Sequence, residues 1–203
     1  MDLAKREKQS CFIFKVDYKK AYVNVSWNNL RYIFRKMGFG AKWISWMEAC
    51  VFTSSMLVLV NGGATDDFKV ERWLRQRDPL SPFLFVLEME GLMLLTETTM
   101  ELGEYNSFKI NEELSIDILQ FADDTIIIRD SGSNNLWSIK AILRGFELIS
   151  GLCLNFCKRS IFGINVSSWC MEAASSFFSC RVDMLPFKYL GIWVISSPRK
   201  MLI

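Results

Sequence analysis

The sequence of 203 residues contains no histidine. This absence excludes the catalytic triads and dyads that need an imidazole base, and it removes the commonest ligand of transition metals. Any chemistry must therefore depend on carboxylates, lysines, hydroxyls or hard metal ions. Long apolar runs are lacking as well, because the two longest, 83–95 and 116–128, are interrupted by acidic residues and cannot cross a bilayer.

Proline and glycine are scarce, with 4 and 11 residues, and the net charge is only +2. Together with a hydrophobic fraction of 51%, this composition predicts one folded globular domain and excludes disordered and fibrous classes. The start of the chain has no export signal, and the six cysteines form no CxxC pair. We therefore expect reduced thiols in an intracellular protein of the nucleus or cytoplasm, not secreted and without a membrane partner.

Three acidic residues stand at the ends of predicted strands. The run Cys11–Val16 is typical of a buried strand, and it ends at Asp17. The strands before and after Asp123 and Asp124 form a hairpin with these two acids at its tip. Neighbouring strand residues point to opposite faces, so Asp123 and Asp124 are not equivalent. Hard oxygen ligands of this kind suit Mg²⁺ in two-metal phosphoryl transfer, and the alternative is a turn that merely caps a hairpin.

The remaining patterns predict further elements. One helix begins at Ser26, a second spans Ala41 to Val51, and a hairpin over 55–70 turns at Asn61-Gly62. A buried helix over 83–95 is opened by Ser81-Pro82, and two strands follow over 106–111 and 114–120. An amphipathic helix over 136–149 is ended by Gly151, and a final strand spans 186–194.

A cluster of arginines precedes the helix at Ser81-Pro82, namely Arg72, Arg75 and Arg77. Cations beside a helix N-terminus are electrostatically misplaced unless they face an anion, which favours a phosphate contact for at least one of them. Lys19 and Lys20 fit either a phosphate contact or an ordinary solvated surface.

Five segments resemble, in order, the reverse transcriptases of plant-type non-long-terminal-repeat retrotransposons. They are FKVDYKKAY at 14–22, LRQRDPLSPF at 74–83, the FADD box at 121–124, SGLCLNFCKRS at 150–160 and LPFKYLG at 185–191. One short match has little weight, but five in the family's order across 12–194 form a specific match.

The resemblance implies an α+β fold, the palm of a right-hand polymerase, with an antiparallel sheet backed by helices. On this basis 1–11 is an N-terminal remnant of the fingers or a linker, 12–194 is the palm core, and 195–203 is a truncated C-terminal end. Most of the fingers and the thumb are expected to be missing.

The implied activity is RNA-directed DNA polymerisation, in which a primer 3′-hydroxyl attacks a deoxynucleoside triphosphate. The expected partners are an RNA template, a DNA primer and that nucleotide. Two Mg²⁺ ions, or Mn²⁺ as an alternative, are expected on Asp17, Asp123 and Asp124. Lys158 is expected to neutralise or protonate the leaving group. Substrate contacts are expected from Tyr22, Arg75, Gln76 and Phe121, with Tyr22 disfavouring a 2′-hydroxyl.

Three positions depart from the family pattern. Val23 stands where aspartate is usual, and Trp73 and Arg77 stand where glycine is usual. A long arginine side chain next to Gln76 is expected to cause steric damage in the nucleotide pocket. These departures favour an alternative function, a catalytically dead relic that at most binds nucleic acid or protein. Another two-metal nucleotidyltransferase is a third interpretation, which the segments at 74–83 and 185–191 disfavour.

Overall fold

The computed structural model describes residues 2–104, 107–111, 114–155 and 158–194. The helices are α1 (Asp2–Arg6), α2 (Ala21–Asn24), α3 (Trp27–Lys36), α4 (Ala41–Met47, followed by a π-helical turn Glu48–Phe52), α5 (Ser81–Glu101), α6 (Ser133–Ser150) and α7 (Ser168–Phe178). The strands are β1 (Cys11–Val16), β2 (Tyr18–Lys19), β3 (Ser55–Met56), β4 (Leu59–Val60), β5 (Gly63–Ala64), β6 (Phe68–Lys69), β7 (Phe108–Lys109), β8 (Ser115–Ile116), β9 (Ile118–Phe121), β10 (Asp124–Asp130), β11 (Cys153–Leu154), β12 (Ser160–Ile164), β13 (Arg181–Val182), β14 (Phe187–Tyr189) and β15 (Ile192–Val194).

A five-stranded sheet in the order β13-β12-β1-β10-β9 lies at the centre of the fold. Its pairs are antiparallel except β12 with β13. Strand β1 occupies the middle position and pairs with both β10 and β12. This α+β architecture confirms the predicted fold class.

Both faces of the sheet are covered, which explains why β1 is almost continuously apolar. Phe12, Phe14 and Val16 pack into a large core with side chains of the long helices. Cys11 and Ile13 point the other way, into a smaller core. Apolar area buried on two faces stabilises a strand by about 25 cal/mol per Å².

Several predicted elements are confirmed. Helix α3 begins after Ser26, whose side chain accepts a hydrogen bond from the backbone N–H of Asn29. The 55–70 hairpin turns at Asn61 and Gly62, with φ of 51° and 85°. Helix α6 ends at Gly151, where φ is 76°. The hairpin of β9 and β10 carries Asp123 and Asp124 at its tip.

The prediction for the helix at 83–95 is partly wrong. Helix α5 is longer than predicted, its N-cap is Leu80 rather than Ser81, and the side chain of Asp78 accepts the hydrogen bond from the Leu80 backbone N–H. The helix is not buried all round, because Phe83 and Val86 are exposed. Because apolar residues occur on every face of the helix, the sequence pattern does not indicate which face is buried.

Other boundaries also differ. The predicted last strand is a hairpin of β14 and β15, which turns at Leu190 and Gly191 with φ of 51° and 79°. The strand predicted over 114–120 is divided between β8 and β9, and helix α4 changes to a π-helical turn at Glu48. Strand β12 and helix α7 were not predicted. Of the predicted 106–111 strand only β7 forms, and residue 106 lies outside the described residues, as does the segment 195–203.

Within the described ranges, no helix is long and apolar enough to cross a membrane.

One carboxyl group lies inside the large core. Glu88 of α5 is fully buried, and its Oε1 accepts a hydrogen bond of 2.7 Å from the side-chain amide of Asn29 on α3. Burial raises the pKa of Glu88 from 4.5 to about 8, because a low-dielectric interior disfavours the charged carboxylate. Glu88 is therefore protonated in the folded protein at neutral pH.

Glu88→Gln is expected to make the protein less sensitive to alkaline pH. Between pH 4.5 and 8 the folded chain holds a proton that the unfolded chain has released, so this group's contribution to stability falls as pH rises through that window. The slope is at most about 1.4 kcal/mol per pH unit, and the uncharged amide of the variant contributes no such slope. Denaturant unfolding at pH 5, 7 and 9 measures the difference between the two proteins. Glu90→Gln, on the same helix but half-buried, is the matched control, and parallel pH profiles for wild type and Glu88→Gln would contradict the prediction.

Candidate active site

Asp17 follows the central strand of the sheet. It comes directly after Val16, which pairs with Thr125 of β10. One residue beyond that pair stand Asp17 on one strand and Asp124 on the other, so these two acids leave the sheet at the same end. Asp17 is half-buried, and Lys158 places its Nζ 3.7 Å from Asp17 Oδ2. The structure thus joins two of the predicted site residues directly.

The turn between β9 and β10 carries the other two acids. Phe121 pairs with Asp124, which leaves Ala122 and Asp123 as the turn residues. Ala122 has a φ of 50°, a left-handed conformation that is uncommon for a residue other than glycine. Asp123 is exposed, whereas Asp124 is half-buried. The two neighbouring acids therefore lie in different surroundings, but the reason is that Asp123 belongs to the turn and Asp124 to β10, not the alternation along a strand that the sequence predicts.

Tyr22 is one of the predicted substrate residues that lie near the acids. It lies on α2, just after Asp17 in the chain, and its ring stacks on Phe85 with centroids 4.9 Å apart. Partial burial, and then the negative charge of Asp123, raise the pKa of the Tyr22 hydroxyl. Asp123 and Tyr22 are therefore electrostatic neighbours although they lie far apart in the sequence.

Tyr189 is a residue near the acids to which sequence reasoning gave no role. Its hydroxyl lies 3.4 Å from the carbonyl oxygens of both Leu119 and Asp124, so it braces the β9–β10 hairpin from β14. Burial raises the pKa of this hydroxyl, and the charge of Asp124 raises it further. The LPFKYLG segment contained the signal, but only the fold shows which hairpin the tyrosine reaches.

The arginine-rich segment runs beside α2. Its backbone is tied to the first segment by a hydrogen bond of 2.6 Å from Leu74 N–H to the Tyr22 carbonyl. Arg75 and Gln76 follow with exposed side chains. In the part of the chain that the structure describes, neither side chain makes an ion pair or hydrogen bond, so the fold does not join them to the acids. Phe121 is 63% exposed beside the acidic turn.

Both positions where the family usually has glycine keep a left-handed backbone. Trp73 has a φ of 114° and Arg77 a φ of 67°. Glycine adopts such angles without a steric penalty, whereas a Cβ atom makes them costly. The Arg77 side chain is exposed, so any steric damage from it would fall on a bound substrate and not on the core.

Arg77→Gly is expected to stabilise the fold by about 0.5 to 1 kcal/mol. The strain energy that it removes from the left-handed backbone exceeds the entropic cost of ordering the more flexible glycine on folding. Denaturant unfolding measures the change. Arg75→Gly is the matched control: Arg75 is also exposed but has no positive φ, so the same substitution there should destabilise. Equal effects at the two positions would contradict the role assigned to the backbone.

The donor chemistry of the site suits a hard metal ion, since Asp17, Asp123 and Asp124 offer only carboxylate oxygens. Among the described residues, however, no three acidic or cysteine side chains are close enough together to hold a metal ion as they stand. The acids gather at one end of the sheet without forming a closed three-ligand cluster.

Comparisons with known proteins point to one family. The family described as "Reverse transcriptase (RNA-dependent DNA polymerase)" matches residues 1–194. The chain is 26% identical over 198 residues to the "Retrovirus-related Pol polyprotein from type-1 retrotransposable element R2" of Popillia japonica; this match covers 93% of the chain but only 27% of that polyprotein.

Two solved telomerase structures from Candida tropicalis share the fold. The apo enzyme truncated from its C-terminal domain aligns with a TM-score of 0.57 at 21% identity, covering 82% of this chain and 34% of that one. Telomerase in complex with a fragment of telomeric RNA aligns with a TM-score of 0.53 at 20% identity, covering 80% and 27%. Likenesses at this level of identity carry the fold alone.

Proposed function

Because this chain belongs to the reverse transcriptase family, we propose that it is the palm of an RNA-directed DNA polymerase, whose rate in this chain is lowered by the Arg77 side chain. Residues 12–194 are the palm core in this proposal, flanked by a remnant at 1–11 and an end segment at 195–203. One observation carries the proposal: Asp17 on one side, and Asp123 and Asp124 on the other, leave neighbouring central strands at the same end of the sheet.

Asp17 and Asp123 would hold two Mg²⁺ ions, with Asp124 as the third acid and Mn²⁺ as an alternative ion. Bound metal supplies the Lewis acidity that activates a primer hydroxyl and neutralises a triphosphate. The all-oxygen donor set supports this assignment.

The surrounding side chains would bind the substrate. Tyr22 packs against the sugar of the incoming nucleotide and disfavours a 2′-hydroxyl, a role supported by its position beside Asp123. Lys158 neutralises or protonates the leaving group. Arg75, Gln76 and Phe121 are exposed and would contact the nucleotide and the template. The family description, an RNA-dependent DNA polymerase, supports RNA as the template.

Binding of Mn²⁺ to the chain itself tests this function, with the electron paramagnetic resonance signal of free Mn²⁺ as the readout. Asp17→Asn and Asp123→Asn should each weaken binding, because each removes a charged ligand. Asp66→Asn, in the exposed hairpin over 55–70, makes the same charge change away from the site and should bind as the wild type does. Unchanged affinity in both active-site variants would overturn the proposed metal site.

A non-catalytic binding module is the second candidate, and one specific observation favours it. Trp73 and Arg77 occupy left-handed positions where the family usually has glycine. Their side chains therefore obstruct the close approach of a nucleotide to the backbone that glycine would allow. Val23, which stands where the family usually has an aspartate, lines a surface cavity together with Trp73. The primer-extension experiment below separates the two functions.

A further inference from the structure

The segment after α6 lies along the residues that follow β1. Strand β11 pairs with β2 in the register Cys153 with Lys19 and Leu154 with Tyr18. The next residue, Asn155, donates its backbone N–H to the Asp17 carbonyl at 2.8 Å. This short ladder fixes the backbone of Asn155 against the backbone of Asp17.

The side chains repeat the contact of the backbones. Asn155 Nδ2 donates to Asp17 Oδ2 at 2.8 Å, and Lys158 Nζ lies 3.7 Å from the same oxygen. Both contacts fall on one carboxylate oxygen, so Oδ1 receives neither of them. Asn155 is half-buried and hydrogen-bonded through its main chain, whereas the Lys158 side chain is 70% exposed. The amide is therefore the restrained partner, and the ammonium is the solvent-exposed one.

We propose that Asn155 is a positioning residue for Asp17 and that Lys158 is the counter-ion which a divalent cation displaces. The terminal torsion of an aspartate is broad, so its carboxylate turns freely unless a partner holds one oxygen. A donor anchored by the β2–β11 ladder supplies that restraint. The inference rests on the proposed function, because it assigns the purpose of the restraint to metal binding at Asp17.

The two residues are expected to act in opposite directions. Hydrogen-bond partners of metal-ligating side chains typically contribute 10- to 100-fold to metal affinity, so loss of the Asn155 amide should weaken Mn²⁺ binding about tenfold. An exposed ammonium only competes with the cation, and exposed ion pairs are weak. Removing it in Lys158→Met should therefore tighten Mn²⁺ binding by about two- to fivefold.

The test is the same Mn²⁺ titration, applied to Asn155→Ala, Asn155→Ser and Lys158→Met. Asn165→Ala is the matched structural control. Asn165 also donates its side-chain amide to backbone carbonyls, those of Ala4 and Gln9, at the other side of the sheet. The Asn165→Ala substitution should lower the melting temperature without changing the Mn²⁺ affinity. The two Asn155 variants guard against misfolding, since the affinity loss must appear in a variant that keeps the wild-type circular dichroism spectrum.

A double-mutant cycle separates positioning from general structural damage. Asn155→Ala should have no further effect on Mn²⁺ binding once Asp17→Asn is present, because there is no carboxylate left to orient. An equal loss in both backgrounds would overturn the positioning role. Wild-type affinity in Asn155→Ala, beside weakened binding in Asp17→Asn, would overturn this inference and leave the proposed function intact. Unchanged binding in both Asp17→Asn and Asp123→Asn would instead refute the proposed metal site itself.

Discussion

Primer extension on an RNA template should fall about a thousandfold when Asp123 becomes asparagine, the scale of effect that follows loss of one charged group acting on the transition state. The assay uses a hybrid in which residues 12–194 replace the matching segment of the Popillia japonica polyprotein, in an Arg77→Gly background. Asp123 is chosen because it lies exposed at the turn and its negative charge helps to raise the pKa of Tyr22. The measurement is incorporation of deoxynucleotides with Mg²⁺ present.

The background substitution is part of the prediction. The hybrid that keeps Arg77 should extend the primer on the order of a hundredfold more slowly than the Arg77→Gly hybrid, because a misplacement of about 1 Å at the reacting centre has a cost of that order. Arg77→Gly should restore partial activity. Asp130→Asn, an exposed acid at the far end of the same strand β10, is the control for Asp123→Asn and should retain the restored activity. Extension near the donor's rate by the hybrid with Arg77 would show that the arginine is tolerated.

Gly151→Ala should destabilise the fold by about 2 to 4 kcal/mol, the sum of a left-handed backbone penalty and a steric clash. A Cβ atom at this position would lie 2.6 Å from the Asn24 carbonyl oxygen, which is backbone and cannot swing away. The neighbouring hydrogen bond of 2.8 Å, from Ser26 N–H to the Ser150 carbonyl, holds the two segments together. Denaturant unfolding gives the change in the free energy of unfolding.

Gly145→Ala provides the control for this clash. Gly145 lies within the same helix α6, and a Cβ atom there would meet nothing within 4 Å. Alanine should therefore stabilise the fold by about 0.5 to 1 kcal/mol, since glycine is the poorer helix former. Two Gly→Ala substitutions in neighbouring turns of the chain are thus expected to have opposite signs. Similar effects at both positions would mean that the close approach at Asn24 relaxes without cost.

The acids could be found from the sequence because local patterns mark them. Cys11–Val16 is an apolar run with a polar end, and the FADD box interrupts two apolar strands. The end of α6 could also be predicted, because glycine is the residue that most easily adopts the left-handed conformation in which many α-helices end, as Gly151 does. These features depend on neighbours in the chain, which is what a single sequence displays.

The rest depends on contacts between distant segments. The sequence around Asn155 does not indicate its hydrogen bond to Asp17, and the sequence around Tyr189 does not indicate its contact with the β9–β10 hairpin. The hairpin of β14 and β15 was missed because Leu190 precedes the turn glycine, where asparagine or aspartate would have signalled a tight turn. The exposed side of α5 was missed because apolar residues cover its whole circumference.

The central position of β1 also affects the order of events while the chain is being made. Cys11 pairs with Asp130 on one side and with Ile164 on the other, so both partners of the strand emerge from the ribosome long after it. At ordinary elongation rates the wait is about 10 to 30 s. During that time an apolar strand with two unpaired edges is open to pairing with other nascent chains. A messenger that is cut short before the codon for Ile164 would leave one of those edges permanently open, so early termination should yield insoluble protein even when every catalytic acid has been translated.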